Sequence, residues 1–239
     1  MLNVGSVVNN GSDYMIHYLA DVKIGDTTVH LTTTHVALIV VSIFLITLAL
    51  IARHVIKKAD PDATPGGFQN AVEIVVEMLG NIVNGIMGSN AYRFVNYVTA
   101  IFVFILISNI SGLFGLRPPT ADYGVTLPLG LITFCLVQFN GAKKNKVGHF
   151  TNLFKPMPVL FPINLIGELA VPVSLSLRLF GNVMSGTVLM GLIYGLLPQL
   201  LTLGLPSVLH VYFDIFSGAI QTYVFCMLTM VYVNDKIAD

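Results

Sequence analysis

Of 239 residues, 55% are hydrophobic and only 10% charged, and the mean hydropathy is +0.81. Soluble domains usually carry about 25% charged residues, so the composition excludes a soluble fold and points to an all-α integral membrane protein. Twelve basic and twelve acidic residues cancel, and no basic stripe with interleaved aromatics is present, which argues against nucleic acid as a partner.

Residues 1–33 are mostly polar, with Asp13, Asp21 and Asp26 set against Lys23. They lack the basic start and apolar run of a cleaved signal, so they are expected to form a tail on one side of the membrane. The rest, 34–239, is the expected membrane domain. The first apolar run, about 36–53, ends in Arg53, His54, Lys57 and Lys58. Positive charge collects on the cytoplasmic side, so the tail is expected to be extracytoplasmic. Thr32, Thr33 and Thr34 offer an N-cap.

Pro61, Pro65, Gly66 and Gly67 then break the chain. Residues 68–88 place Phe68, Val72, Val76, Leu79 and Val83 at helical spacing, with Glu73, Glu77, Asn81 and Asn84 on the remaining face. That pattern predicts an amphipathic helix at the cytoplasmic interface. A second span is expected at about 92–116 and contains Asn109, whose amide needs a partner in lipid. The segment RPPTADYGVTLP follows as a tight outer turn with Asp122. A third span, 124–140, leads into a loop with Lys143, Lys144, Lys146 and Lys155, the strongest basic cluster and a second mark of the cytoplasmic side.

Two over-long segments remain, about 160–197 and 205–233. As one helix the first would extend ~57 Å, against a hydrocarbon core of ~30 Å. It is too short for two spans and a turn, so a tilted or bent helix is expected, with Pro172 as a site for the bend. Pro198 and Pro206 bracket the uncharged turn between the two segments. The total is five crossings with the C-terminus cytoplasmic. No internal repeat is visible, unlike the inverted-repeat transporters.

Arg178 is the only Lys or Arg between Lys155 and Asp235. A guanidinium at bilayer depth costs at least ~2.5–3.5 kcal/mol. Ser174, Arg178, Asn182 and Ser185 share one helix face, and so do His210, Asp214, Ser217 and Gln221 on the last helix. Asn164 and Glu168 form a shorter polar pair near the inner end. Two polar-striped helices joined by a turn can form a hairpin with facing seams, and such seams mark an ion pathway. Single polar residues here also fit helix–helix glue; three ionisable groups, Arg178, Glu168 and Asp214, exceed what packing needs. A bridge from Arg178 to Glu168 would need a kink, since ten residues separate them by about 80° and ~15 Å. Cys135 and Cys226 lie in separate apolar segments and imply no disulfide and no metal site.

The stretch PINLIGELAVPVSLSLRLFGNVMSG closely resembles the signature of the a subunit of bacterial F-type ATP synthases, the membrane stator component. The likeness extends through PPTADYGVTLPLGL, PVLFPINLI and IQTYVFCMLTMVYV, in the family's order. It implies a chain in the bacterial plasma membrane, itself non-catalytic and without cofactor. Its implied partners are a rotating c-ring, against which the last two helices lie as a tilted hairpin, and peripheral-stalk b subunits. It implies that H⁺, or alternatively Na⁺, passes through two half-channels to and from the ring carboxylates. Arg178 would separate the half-channels, supported by Asn182 and Gln221. Glu168 and its neighbours would line the inner path, and Ser174, on the polar stripe of Arg178, would belong to the ion-translocation residues. Asp214, Asn109 and Asp122 would belong to outer access, with His210 able to share that role. Departures are Thr187, where many relatives have glutamate, Asp214, where several have histidine, and Val171, where lysine is common. The competing readings are a stand-alone secondary transporter with Arg178 as counter-ion, and an intramembrane hydrolase. For the hydrolase no HExxH motif, aspartate pair or activated serine is present.

Overall fold

The computed structural model describes residues 18–24, 27–59, 66–145, 157–196 and 205–237. The first part of the polar head, the break at 60–65, the basic loop at 146–156 and the turn at 197–204 lie outside the described residues. Part of the expected tail is a two-stranded antiparallel hairpin, β1 (Tyr18–Ile24) with β2 (Thr27–Thr32), in the register Asp21↔His30 and Val22↔Val29. Thr27, Thr28, Val29 and Thr32 are β-branched and favour the extended chain, a signal that the polarity of the tail obscured.

Among the described residues everything else with regular structure is helical. Helix α1 (Thr33–Lys58) follows β2 directly. At its start the Thr32 backbone N–H and hydroxyl meet His35 Nδ1 at 3.4 and 2.6 Å. Helix α2 (Gly67–Met87) continues into a 3₁₀ stretch, Gly88–Arg93. Helix α3 (Val95–Ile110) tightens into the 3₁₀ turn Ser111–Phe114, which ends at Gly115 with φ +72°, a left-handed conformation that glycine adopts without steric cost. A short 3₁₀ turn, Pro119–Ala121, precedes α4 (Tyr123–Asn145). There Asp122 Oδ1 accepts the Gly124 N–H at 2.8 Å, satisfying one of the donors a helix start leaves open.

The over-long segments differ from each other. Helix α5 (Phe161–Leu196) is one 36-residue helix with Pro172 inside it. The last segment is composite: α6 (Leu205–His210), a π-helical stretch (Val211–Ser217) and α7 (Gly218–Ile237). Among the described residues six helical stretches are long and apolar enough to cross a membrane. They include Gly67–Arg93, which contains the helix expected to lie at the interface. Its 27 residues hold only two acidic side chains, Glu73 and Glu77, few enough for the stretch to qualify as a span by length and composition.

Helix α7 occupies the centre, packed against α2, α3, α4 and α5. Its Phe225, Cys226, Met230 and Val233 form one apolar core with Val83 and Met87 of α2, Val98 and Ile105 of α3, Val137 of α4, and Leu175 and Leu179 of α5. Helix α1 is peripheral: only Thr34, Ala37 and Val41 are buried, while Ile39, Ile43, Phe44, Ile46 and Leu50 face outward. An outward apolar face costs little in lipid, where the hydrophobic effect does not discriminate between protein and acyl chain. Helices α4 and α5 meet closely at Gly130. A Cβ built on Gly130 would lie 2.6 Å from the Pro172 carbonyl oxygen, so only glycine fits.

Candidate functional site

Several of the polar residues singled out in the sequence fall into two clusters, one at each end of the last helix. The first lies where the π-helical stretch and the start of α7 meet the end of α3. Asn109 is 2% exposed, and both polar atoms of its amide are hydrogen-bonded. Its Nδ2 donates to the Gly218 carbonyl at 3.1 Å and to Thr222 Oγ1 at 3.4 Å, and its Oδ1 accepts from Thr120 Oγ1 at 2.6 Å. Gly218 permits this approach, since a Cβ there would stand 2.9 Å from the Asn109 Cβ. One turn away Asp214 points its carboxylate at Gly112, where an added Cβ would lie 3.2 Å from Asp214 Oδ2. His210 Nδ1 meets the same Oδ2 at 2.9 Å.

The π-helical stretch changes the seam expected on this helix. A π turn is wider than an α turn, so the +4, +7, +11 spacing no longer maps to one face. Asp214 lies against Gly112 after α3. Ser217 instead faces α5, where its Oγ donates to Asn182 Oδ1 at 3.1 Å. Gln221 is buried, and its Nε2 has no hydrogen-bond partner. The two helices therefore meet through a polar contact at Ser217–Asn182 rather than along full facing seams. Gly186 of α5 seats the Phe213 ring, with a built Cβ at 3.5 Å from Cδ1.

The second cluster lies at the other end of α7. Glu168 near the start of α5 accepts Gln138 Nε2 on its Oε2 at 2.8 Å, and Lys236 Nζ on its Oε1. The alternative of a kinked Arg178–Glu168 bridge is thereby replaced: Glu168 takes its cation from α7. Pro172 carries no N–H, so it also withholds the usual helical donor from the Glu168 carbonyl.

Arg178 lies on the exposed side of α5, with Ser174, Leu177, Gly181 and Ser185. Among the described residues it forms no ion pair. Leu175, Ser176 and Leu179 on the opposite side are buried. Thr187 returns its hydroxyl to the Val183 carbonyl at 3.0 Å, and Ser185 does the same to Asn182. Asp122 serves as the α4 cap described above. Among the described residues no three His, Cys, Asp or Glu side chains converge to hold a metal ion.

Sequence reasoning did not single out Gly112, Thr120, Gln138, Gly218, Thr222 or Lys236. Gly112 and Thr120 stand in the stretches SNISG and RPPTADYGVTLP, and only the fold shows what they touch. Lys236 had one available signal: it is a cation at the end of the last helix that runs back toward the start of α5.

The family model described as ATP synthase A chain matches residues 34–234. The chain belongs to this family. Relatives include "ATP synthase subunit a, sodium ion specific" of Propionigenium modestum, 37% identical over 195 residues, covering 74% of this chain and 66% of the relative. "ATP synthase subunit a" of Limosilactobacillus fermentum is 37% identical over 204 residues, covering 78% and 84%. The subunit a of Moorella thermoacetica is 35% identical over 173 residues, covering 72% and 77%. Membership of the family, with several helices able to span, makes this a multi-pass membrane protein of the ATP synthase.

Proposed function

We propose that this chain carries H⁺ between the two sides of a bacterial plasma membrane and the carboxylates of a c-ring, as the ion-translocating a subunit of an F-type ATP synthase. The observation that carries the reading is Arg178: a fixed cation on the open side of α5, without a carboxylate partner among the described residues. A guanidinium stays protonated. In an apolar surface it calls for an anion from outside the chain, and a ring carboxylate supplies one. Opposite charge favours the ionised form of an approaching carboxylate and so promotes release of its ion. The same charge repels a cation crossing directly.

The two clusters fit access from opposite sides. Asp214, with His210 and Asn109, belongs to the extracytoplasmic path, and Asp122 stands near its mouth. Glu168 lines the cytoplasmic path. Asn182 and Gln221 support Arg178, the former tied to Ser217 and the latter with a spare amide donor. Ser174 and Thr187 flank the arginine along α5. In this reading five segments cross, α2 lies at the cytoplasmic interface, and the N-terminus is extracytoplasmic with the C-terminus cytoplasmic. The c-ring faces the open side of α5, the b subunits of the peripheral stalk complete the stator, and the chain itself catalyses no chemical step.

Replacing Arg178 by Ala in the assembled complex is expected to abolish ATP synthesis driven by an ion gradient; coupled synthesis at the parent rate overturns the reading. The sodium-specific relative makes Na⁺ the alternative ion. ATP hydrolysis at fixed pH that rises with Na⁺ would select it. A stand-alone transporter would instead pass ions when the chain is reconstituted without a ring.

A further inference from the structure

The last turn of α7 is fastened to three other helices by side chains far apart in sequence. Asn234 Nδ2 donates to the Ile86 carbonyl near the end of α2 at 3.3 Å. Lys144 Nζ, on α4, donates to the Ile237 carbonyl at 2.7 Å. Lys236 Nζ meets Glu168 Oε1 on α5. Because Gln138 of α4 holds the other oxygen, both carboxylate oxygens of Glu168 are occupied, one by a cation and one by a neutral amide. The side chains of Lys236 and Glu168 are 29% and 23% exposed, so the pair is neither dry nor freely hydrated.

Glu168 is the only acidic residue of α5 and Arg178 the only basic one. They stand ~15 Å apart along the axis, so neither neutralises the other. A carboxylate with a free oxygen beside an ion path is a cation-binding site, and an ion held there is delayed. We propose that Lys236 is a resident counter-cation of the path at this end. Its ammonium occupies Glu168 together with Gln138, so that the carboxylate does not capture the travelling ion. Lysine suits this role because it is a compact charge on a flexible stem that can swing aside and return. Lys236 is thus a positioning residue, acting through Glu168. The inference rests on the reading of Glu168 as part of the ion path.

The test uses the assembled complex in membrane vesicles, with gradient-driven ATP synthesis expressed per complex by immunoblot. Lys236→Met is expected to slow synthesis about tenfold, the delay of an ion that the uncovered Glu168 carboxylate holds by about 1.4 kcal/mol. Lys236→Arg, which keeps the charge, is expected to retain most of the parent rate. Glu168→Gln added to Lys236→Met is expected to raise the rate above that of Lys236→Met alone, because the exposed anion is then gone. A merely structural clamp predicts the opposite for the double variant, which lacks both charges and still lacks the tether.

Synthesis by Lys236→Met at the parent rate per complex overturns the proposal, whatever its assembly yield. So does a double variant no faster than the single one. Arg178→Ala in the same vesicles separates the two claims. If it still synthesises ATP, the ion-path reading falls; if it does not and Lys236→Met matches the parent, only the Lys236 proposal falls.

Discussion

The two polar clusters, one at each end of the last helix, are built on different physics. Around Asn109 the groups are mostly neutral, nearly fully buried, and brought together by glycines at close approach. Its one contact to a carboxylate, His210–Asp214, is local, four residues apart on one helix segment. Around Glu168 the groups are half-buried, and the contact that matters is an ion pair between α5 and the end of α7. A buried neutral network is rigid and loses most when a single member is removed, since its partner is left unsatisfied. A half-hydrated ion pair is worth less to stability and can exchange partners. The Asn109 network is therefore built to hold helices in register, whereas the Glu168 pair is free to exchange partners.

Substitutions that attack close approach should show the largest effect. Gly130→Ala would put a Cβ against the Pro172 backbone oxygen. Overpacking of this kind costs about 1–3 kcal/mol or more, and the yield of assembled complex should fall sharply. Normal yield would mean that α4 and α5 slide apart easily. Next comes Asn109→Ala, which strips partners from Thr120 and Thr222. A loss of about 1–3 kcal/mol is expected, read as a lower unfolding temperature of the detergent-solubilised complex. Restoring hydrogen bonding with Asn109→Gln should not rescue it, because the space between Gly218 and Thr120 is shaped to the shorter side chain.

Asp214→Asn keeps the volume beside Gly112 and removes the charge that meets His210. Ion-driven synthesis is expected to fall while assembly stays near normal, since Asn fills the same space and can still hydrogen-bond His210. Loss of assembly with synthesis per complex unchanged would move Asp214 into the structural class and erase the contrast between the clusters. The smallest effect is expected for Ser217→Ala, which removes the single bond to Asn182. Interhelical bonds within membranes average ~0.6 kcal/mol, so an unfolding temperature lowered by more than the Asn109→Ala change would contradict the ordering.

Local pattern made much of this legible. The apolar runs, the over-length of α5, and the isolation of Arg178 follow from residue order alone. The His210–Asp214 contact also follows, because i and i+4 adjoin in an α-turn and in a slightly widened one. Spacing failed where the backbone changed its own period. The π-helical stretch at 211–217 carries Ser217 toward Asn182 while Asp214 turns to Gly112, and no composition rule marks the residue at which the turn widens. The hairpin at 18–32 was hidden for a related reason: short polar strands carry β-branched residues but no apolar alternation to stand out.

The sequence by itself determined that this is a membrane protein of the ATP synthase A chain family with one costly arginine on an over-long helix. Composition, span length and a contiguous signature are properties of residue order, and no packing is needed to see them. Only the tertiary structure decided which charges are neighbours. Glu168 lies ten residues from Arg178 yet pairs with Lys236, 68 positions away. Distance along a helix is fixed by the rise per residue, whereas distance between helices is set by where glycines such as Gly130 and Gly218 let them touch.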